Sequence, residues 1–227
     1  MTTDQPLIAL ISAVTAAIRP AATAMIDALP EARIWNILDD QLLQDADNAG
    51  GVTPELADRM TRLIEHARCE GVDGILLTCS MYGPVAERLA AEATVPLFAP
   101  DQAAFAAVFT GEYTNVLVLS SGAGPLIDSV DRLRAVLADA GSDTTVSGAV
   151  VQDAAAAARA GDIAVLAAAL RQAVEGAEST PDAILLGQYS LSPAATALEE
   201  ALHIPVIAGP QRAAAAMRQA LESGGPA

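Results

Sequence analysis

Asp73 to Gly83 reads D-G-I-L-L-T-C-S-M-Y-G, and Asp182 to Ser192 reads D-A-I-L-L-G-Q-Y-S-L-S. Each stretch opens on an aspartate, runs through a short apolar strand pattern, and breaks into small and polar residues just ahead of or at a proline, Pro84 or Pro193. The two lie 109 positions apart, and the spacing persists without a gap: Leu89 falls on Leu198, Pro96 on Pro205 and Gln102 on Gln211. The same shift lays Leu7–Ser12 on Val116–Ser121. A period this long is a domain duplication, not a solenoid. Within the duplicated stretch one residue type changes chemistry: Cys79 stands where the second copy has Gln188.

Working outward, short apolar runs alternate with helical patterns along the whole chain. Strands are expected at Leu7–Ile11, Ile34–Leu38, Ile75–Thr78, Val95–Phe98, Val116–Ser120, Val146–Val150, Ile184–Gly187 and Ile204–Ile207. Helices are expected near Pro20–Leu29, Pro54–Glu70, Pro84–Ala93, Gln102–Phe109, Pro125–Ala140, Asp162–Gly176, Pro193–Leu202 and Gln211–Ser223. Prolines 20, 54, 84, 125 and 193 suit helix starts, where a missing N–H costs nothing. Such alternation means βα units and parallel sheets covered on both faces. The expected fold is α/β, with two pseudo-symmetric domains, each a four-stranded parallel sheet flanked by helices. Residues 1–98 with 208–227 form the first domain and 99–207 the second. Ligands of open parallel sheets bind beyond the carboxyl ends of the strands. Two facing units would share one inter-domain active-site cleft, with Cys79 and Gln188 approaching a ligand from opposite sides.

Composition narrows the function. The 227 residues carry a net charge of −16, which disfavours non-specific binding to nucleic acid or anionic membrane. Aromatics make up 3% of the chain, too few for base-stacking platforms. An anionic substrate must therefore be held by local donors against a repulsive field. The start, M-T-T-D-Q-P-L-I-A-L-I-S, has an apolar core but places Asp4 and Pro6 where a leader needs basic residues, so a first strand is the expectation. Two cysteines, Cys69 and Cys79, make no disulfide framework, and a reduced, cytoplasmic protein is expected. Self-association into a dimer or larger homo-oligomer is a further expectation.

Cys79 follows a buried strand and precedes a helix start. A thiol there has its thiolate favoured by the dipole and free N–H groups, and can act as a carbon-acid base or as a nucleophile. Cys69, inside a helical pattern between Arg68 and Glu70, reads as structural. Gln188 cannot trade protons near neutrality but can donate and accept hydrogen bonds, so it is a candidate for holding a carboxylate or carbonyl. Ser80, Tyr189 and Ser190 could form an anion cradle or cap helices. Ser12 and Thr15, and Ser120, Ser121 and Gly122, belong to matching turns after the first strand of each half. The second turn, S-S-G-A-G, lacks the third glycine of a dinucleotide fingerprint and reads better as a carboxylate-binding nest. Asp40 could bind an ammonium or hydroxyl group. Tyr82, Tyr189 or water could supply a second base. His66 and His203 show no metal-ligand spacing with either cysteine, and no phosphate loop is present, so neither metal nor nucleotide cofactor is expected.

This arrangement resembles the aspartate/glutamate racemase superfamily, which includes hydantoin racemases, maleate isomerases and arylmalonate decarboxylases. The resemblance is sharpest in L-T-C-S-M-Y-G and L-G-Q-Y-S-L-S, and it is similar to a subgroup with an early N-x-L-D-D stretch, here Asn36–Asp40. It implies a cysteine in each domain, flanking the substrate's stereocentre. Cys79 matches the first, and Gln188 departs from the second. The implied activity is a cofactor-independent isomerase acting at a carbon next to a carboxylate in a small amino or hydroxy acid, with one catalytic cysteine. A decarboxylase, a covalent cis–trans isomerase and a small-carboxylate-binding protein are the alternatives.

Overall fold

The computed structural model describes residues 5–224. The acidic start that argued against a leader falls at residues 1–4 and lies outside the described residues. The chain divides into two compact units. Ala103–Arg212 form the second, and the chain before and after it forms the first. The first unit holds strands β1 (Leu7–Ser12), β2 (Arg33–Leu38), β3 (Gly74–Leu77) and β4 (Leu97–Phe98). Its helices are α1 (Thr15–Ala28), α2 (Leu42–Ala49), α3 (Pro54–Cys69) and α4 (Gly83–Ala90). Helix α5 (Gln102–Thr110) carries the chain into the second unit, which holds β5 (Asn115–Ser120), β6 (Thr145–Val150), β7 (Ala183–Leu186) and β8 (Val206–Ala208). Its helices are α6 (Ala123–Asp139), α7 (Ala154–Ala160), α8 (Ile163–Glu175) and α9 (Ala195–Leu202), and α10 (Gly209–Ser223) leads back to the first unit.

Each sheet is parallel and four-stranded, in the orders β2-β1-β3-β4 and β6-β5-β7-β8. The chain winds outward from the first strand and reverses, so the switch point of each unit lies between β1 and β3, or between β5 and β7. A ligand crevice forms outside the carboxyl ends of such a pair. The central strands are apolar throughout because both faces are covered. Alternation then sorts them: Leu117, Leu119, Ile184 and Leu186 enter one core, and Val116, Val118, Ala183 and Leu185 enter the other. In the first unit Ala9, Ile11, Ile75 and Leu77 share a core with Met60 and Ile64 of α3.

All eight expected strands form, with ends moved by at most two residues. The helices bring corrections. Pro20 is not at a helix start: α1 begins at Thr15 and carries Pro20 inside, with no donor for the carbonyl of Ala16. Helices α2 and α7 were not expected. Both are short, and α7 (A-A-A-A-A-R-A) is too uniformly alanine to show a period. The signal available was the glycine that stops each, Gly50 (φ 74°) and Gly161 (φ 70°), in the left-handed conformation only glycine adopts cheaply.

The register refines the repeat. Gly74 pairs with Ile8, and its counterpart Ala183 pairs with Val116. Strands β3 and β7 keep the 109-residue shift, but β1 and β5 are related by 108 (Leu7 to Asn115) and β2 and β6 by 112 (Arg33 to Thr145). Ser12 therefore corresponds to Ser120, not to Ser121 as the single shift placed it. The backbone repeats the match: Thr78 N–H donates to Ile11 O (3.0 Å) as Gly187 N–H does to Leu119 O (2.9 Å).

Candidate functional site

The aspartate opening each duplicated stretch works at the end of the sheet opposite the crevice. Asp73 Oδ2 accepts from Leu7 N (2.7 Å). Asp182 accepts from Thr114 N (2.8 Å), Thr114 Oγ1 (2.7 Å) and Asn115 N (3.0 Å). Burial alone would raise the Asp182 carboxyl, but these hydrogen bonds outweigh it and hold its pKa below the usual value. The shared D-x-I-L-L is thus a clamp on the first strand of each unit.

At the carboxyl ends the copies differ. In the first unit Thr78 Oγ1 donates to Ser12 Oγ at 2.8 Å, both side chains buried. Cys79 comes next, 9% exposed and extended (φ −118°, ψ 116°), and leads into a 3₁₀ turn over Ser80–Tyr82 that runs into α4. Ser80 Oγ donates to Oδ1 of Asp101 at 3.1 Å. Asp101 is 7% exposed, a buried carboxylate one residue removed from the thiol through Ser80. It was missed in the sequence. The available signal was an acidic residue in F-A-P-D-Q, just past the carboxyl end of β4.

In the second unit Gly187 replaces Thr78. A Cβ at Gly187 would meet Ser129 Oγ at 3.2 Å and Leu119 O at 3.3 Å, so a threonine would be crowded where the glycine fits. Ser120 then has no threonine partner and turns to Gln188: its Oγ lies 3.1 Å from Gln188 Oε1 and 3.2 Å from Gly122 O. Ser121 donates to the same Oε1 twice, from N and from Oγ, each at 2.8 Å. The fold thus assembles Ser120, Ser121, Gly122 and Gln188 into one hydrogen-bonded group. Tyr189 and Ser190 follow in a 3₁₀ turn over Tyr189–Ala194, Tyr189 buried and Ser190 half-buried.

The other expected site residues have differing surroundings. Tyr82 is fully buried and donates its hydroxyl to Leu42 O at 2.8 Å, which ties the start of α2 to the core. Burial, with the Cys79 thiolate's charge as the next cause, pushes its pKa up to about 12. Expected as a substrate-binding residue or second base, Tyr82 is placed in the core with its hydroxyl bonded to a main-chain carbonyl. Ser12 is fully buried under Thr78. Thr15 is exposed at the first position of α1, and Asp40 is exposed with Gln41 Nε2 donating to it at 3.2 Å. Its neighbour Asp39 is engaged by a forked pair of bonds from Arg59 (2.6 and 2.7 Å), which also reaches Asp45 (3.0 Å). Cys69 is exposed at the end of α3, and neither cysteine forms a disulfide. Among the described residues, no group of three or more His, Cys, Asp or Glu is placed to hold a metal, and no helix is long and apolar enough to cross a membrane.

A duplicated, doubly wound α/β protein with a thiol at one switch point and an anchored amide at the other defines a narrow class. The chain belongs to the Asp/Glu/hydantoin racemase family, whose sequence profile matches residues 8–219. No curated protein matches it in sequence. Among solved structures it is similar to the aspartate racemase of Picrophilus torridus (15% identity, TM-score 0.70, 96% of this chain and 94% of that one). It is also similar to the allantoin racemase of Klebsiella pneumoniae (20%, 0.71, 97% and 89%) and to an unliganded arylmalonate decarboxylase (18%, 0.62, 94% and 92%). At these identities the structures establish the shared fold, and the family match supports a racemase- or isomerase-type enzyme.

Proposed function

We propose that the protein is a cofactor-independent isomerase acting at a carbon next to a carboxylate in a small amino or hydroxy acid, with Cys79 as its single proton-transferring side chain. One observation carries this reading. Cys79 and Gln188 hold the same position at the ends of β3 and β7, each the residue before a 3₁₀ turn, and only one of them can ionise near neutrality. In the proposed step the thiolate takes the proton from the carbon: the C–H bond breaks, an S–H bond forms, and the electron pair moves onto the carboxylate as an enediolate. The thiol then returns a proton. Gln188, with Ser120 and Ser121, positions the substrate. With one exchanging group, return falls on the face that was deprotonated unless the planar intermediate turns or water protonates the other face.

That asymmetry favours a second reading, decarboxylation of a malonate-type acid. There, loss of CO₂ creates the enediolate and a single thiol suffices to protonate it. Incubating the enzyme with small amino, hydroxy and malonic acids in D₂O, followed by proton NMR and polarimetry, separates the readings. The isomerase reading expects deuterium at the α-carbon that depends on Cys79. Release of CO₂ selects the second reading. Exchange that survives in Cys79→Ser eliminates both, and a Cys79 that reacts with alkylating agents no faster than a model thiol favours a binding protein.

A further inference from the structure

The Gln188 amide is held in one orientation. Its Oε1 receives the backbone N–H of Ser121 (2.8 Å), the hydroxyl of Ser121 (2.8 Å) and a shared approach from Ser120 Oγ (3.1 Å). A carbonyl oxygen offers two lone pairs, so this acceptor is fully used inside the protein. The orientation cannot be reversed: a backbone N–H has no acceptor form, and turning the amide over would set its NH₂ against that N–H at 2.8 Å. Nε2 and its two donors must point the other way, away from the Ser120 and Ser121 groups that hold Oε1. The side chain is half-buried, at the end of β7, beside the first turn of α6, at the switch point of the second sheet. Glutamine in general donates and accepts. With its oxygen used internally, this one offers a ligand only donors.

We infer that Gln188 is a specificity-determining residue whose Nε2 reads a carboxylate or carbonyl oxygen on the ligand and rejects an ammonium or N–H group at that place. The inference rests on the reading of the strand-end crevice as the substrate site and names the ligand chemistry there. Two donors on one nitrogen match the lone pairs of a carboxylate or acyl oxygen. A protonated amine would meet donors with donors, a mismatch that costs binding free energy. Because an amide exchanges no proton near neutrality, the group it meets is positioned without being deprotonated.

The test needs no turnover. ¹⁵N-labelled Cys79→Ser protein is titrated with malonate and with succinate, and the Gln188 side-chain pair is assigned by its disappearance in the additional Gln188→Glu variant. Glutamate keeps an oxygen in the Ser120–Ser121 cradle and replaces the NH₂ with an acceptor. Binding should move a Gln188 N–H signal downfield, and Gln188→Glu should weaken affinity by about ten- to hundredfold. Ethylammonium at equal concentration should leave the pair in place. An unmoved pair at saturation, equal affinity in the glutamate variant, or no binding of either diacid at millimolar concentration would overturn the inference. The NMR readout on glutamine-bearing protein stands even if the glutamate variant folds poorly. Failure of the isomerase reading would show instead as absent Cys79-dependent exchange with these shifts intact.

Discussion

Replacing Tyr82 with phenylalanine separates a base from an anchor. The hydroxyl sits in the core of the first unit, donates to Leu42 O at 2.8 Å, and has its pKa pushed up to about 12 chiefly by burial. Removing it takes one of two donors from the Leu42 carbonyl, which as the first residue of α2 keeps the helical N–H four residues on. One net hydrogen bond is worth about 1 kcal/mol, and a loss of about that size is expected. For a chain of this size that lowers Tm by roughly 2–4 °C. The pKa adds a signature. A folded pKa above the unfolded value of about 10 means the neutral phenol is favoured by folding. That stability is fully present below pH ~10 and is lost as pH rises towards about 12, to a total on the order of 2 kcal/mol. Urea unfolding between pH 7 and 12 should show wild type losing stability across that alkaline window, and Tyr82→Phe starting lower and losing less. Activity per folded molecule at pH 7–8 should stay within a few fold, because a phenol with that pKa is almost wholly neutral there. If Tyr82→Phe keeps its stability and loses exchange activity by orders of magnitude, the tyrosine is a base and the packing argument is refuted.

Cys79→Ser should lower kcat by orders of magnitude, while Cys69→Ser, at an exposed helix end, should change neither kcat nor Tm measurably; Michaelis kinetics on the exchanging substrate check both. Gln188→Cys would put an ionisable group at the end of β7, and chiral analysis in D₂O should then show a ratio of inversion to exchange different from that of wild type. Asp182→Asn should destabilise the second unit, because a carboxylate accepting three bonds is replaced by a group with one acceptor oxygen. The depressed Asp182 pKa contributes stability that is present above pH ~4 and lost as pH falls through the folded value, so an acid titration followed by circular dichroism should show a smaller acid-induced loss in the variant. Arg59→Met leaves Asp39 and Asp45 without their shared cation, and a fall in Tm without a change in KM is expected.

The fold was legible because two periodicities agreed: apolar runs of strand length, and a repeat that placed the same strand in both halves. What the repeat could not show was a single-residue slip. Sequence identity favours an ungapped alignment, whereas the true match of Ser12 with Ser120 is set by which residues exchange hydrogen bonds across β1–β3 and β5–β7. Cys79 and Gln188 were visible as an odd pair at equal positions. Asp101 was not, because its importance comes from a hydrogen bond with a residue 21 positions away and from burial, neither of which leaves a pattern. Tyr82 shows the converse: proximity in sequence to Cys79 suggested the site, while the 3₁₀ turn over Ser80–Tyr82 places its ring in the core.

The exchange of Thr78 for Gly187 ties these differences together. In a parallel sheet, successive side chains at a strand end point to opposite sides, so the residue before the functional position faces the neighbouring strand's last hydroxyl. With threonine there, Ser12 is bonded by the Thr78 hydroxyl. With glycine there, Ser120 reaches across to Gln188, and the amide is fixed. Restoring threonine in the second unit should reverse this. Gly187→Thr places Cβ 3.2 Å from Ser129 Oγ and 3.3 Å from Leu119 O, and supplies a hydroxyl that competes for Ser120. Crowding of that kind costs about 1–3 kcal/mol. Loss of the Ser120 bond loosens the amide but leaves both Ser121 donors in place. The Gln188 side-chain N–H pair, followed by hydrogen exchange, should therefore exchange faster in Gly187→Thr than in wild type, with the Cys79 alkylation rate unchanged. Equal amide exchange in the two proteins would mean that Ser121 alone fixes Gln188, and the glycine would then need another explanation.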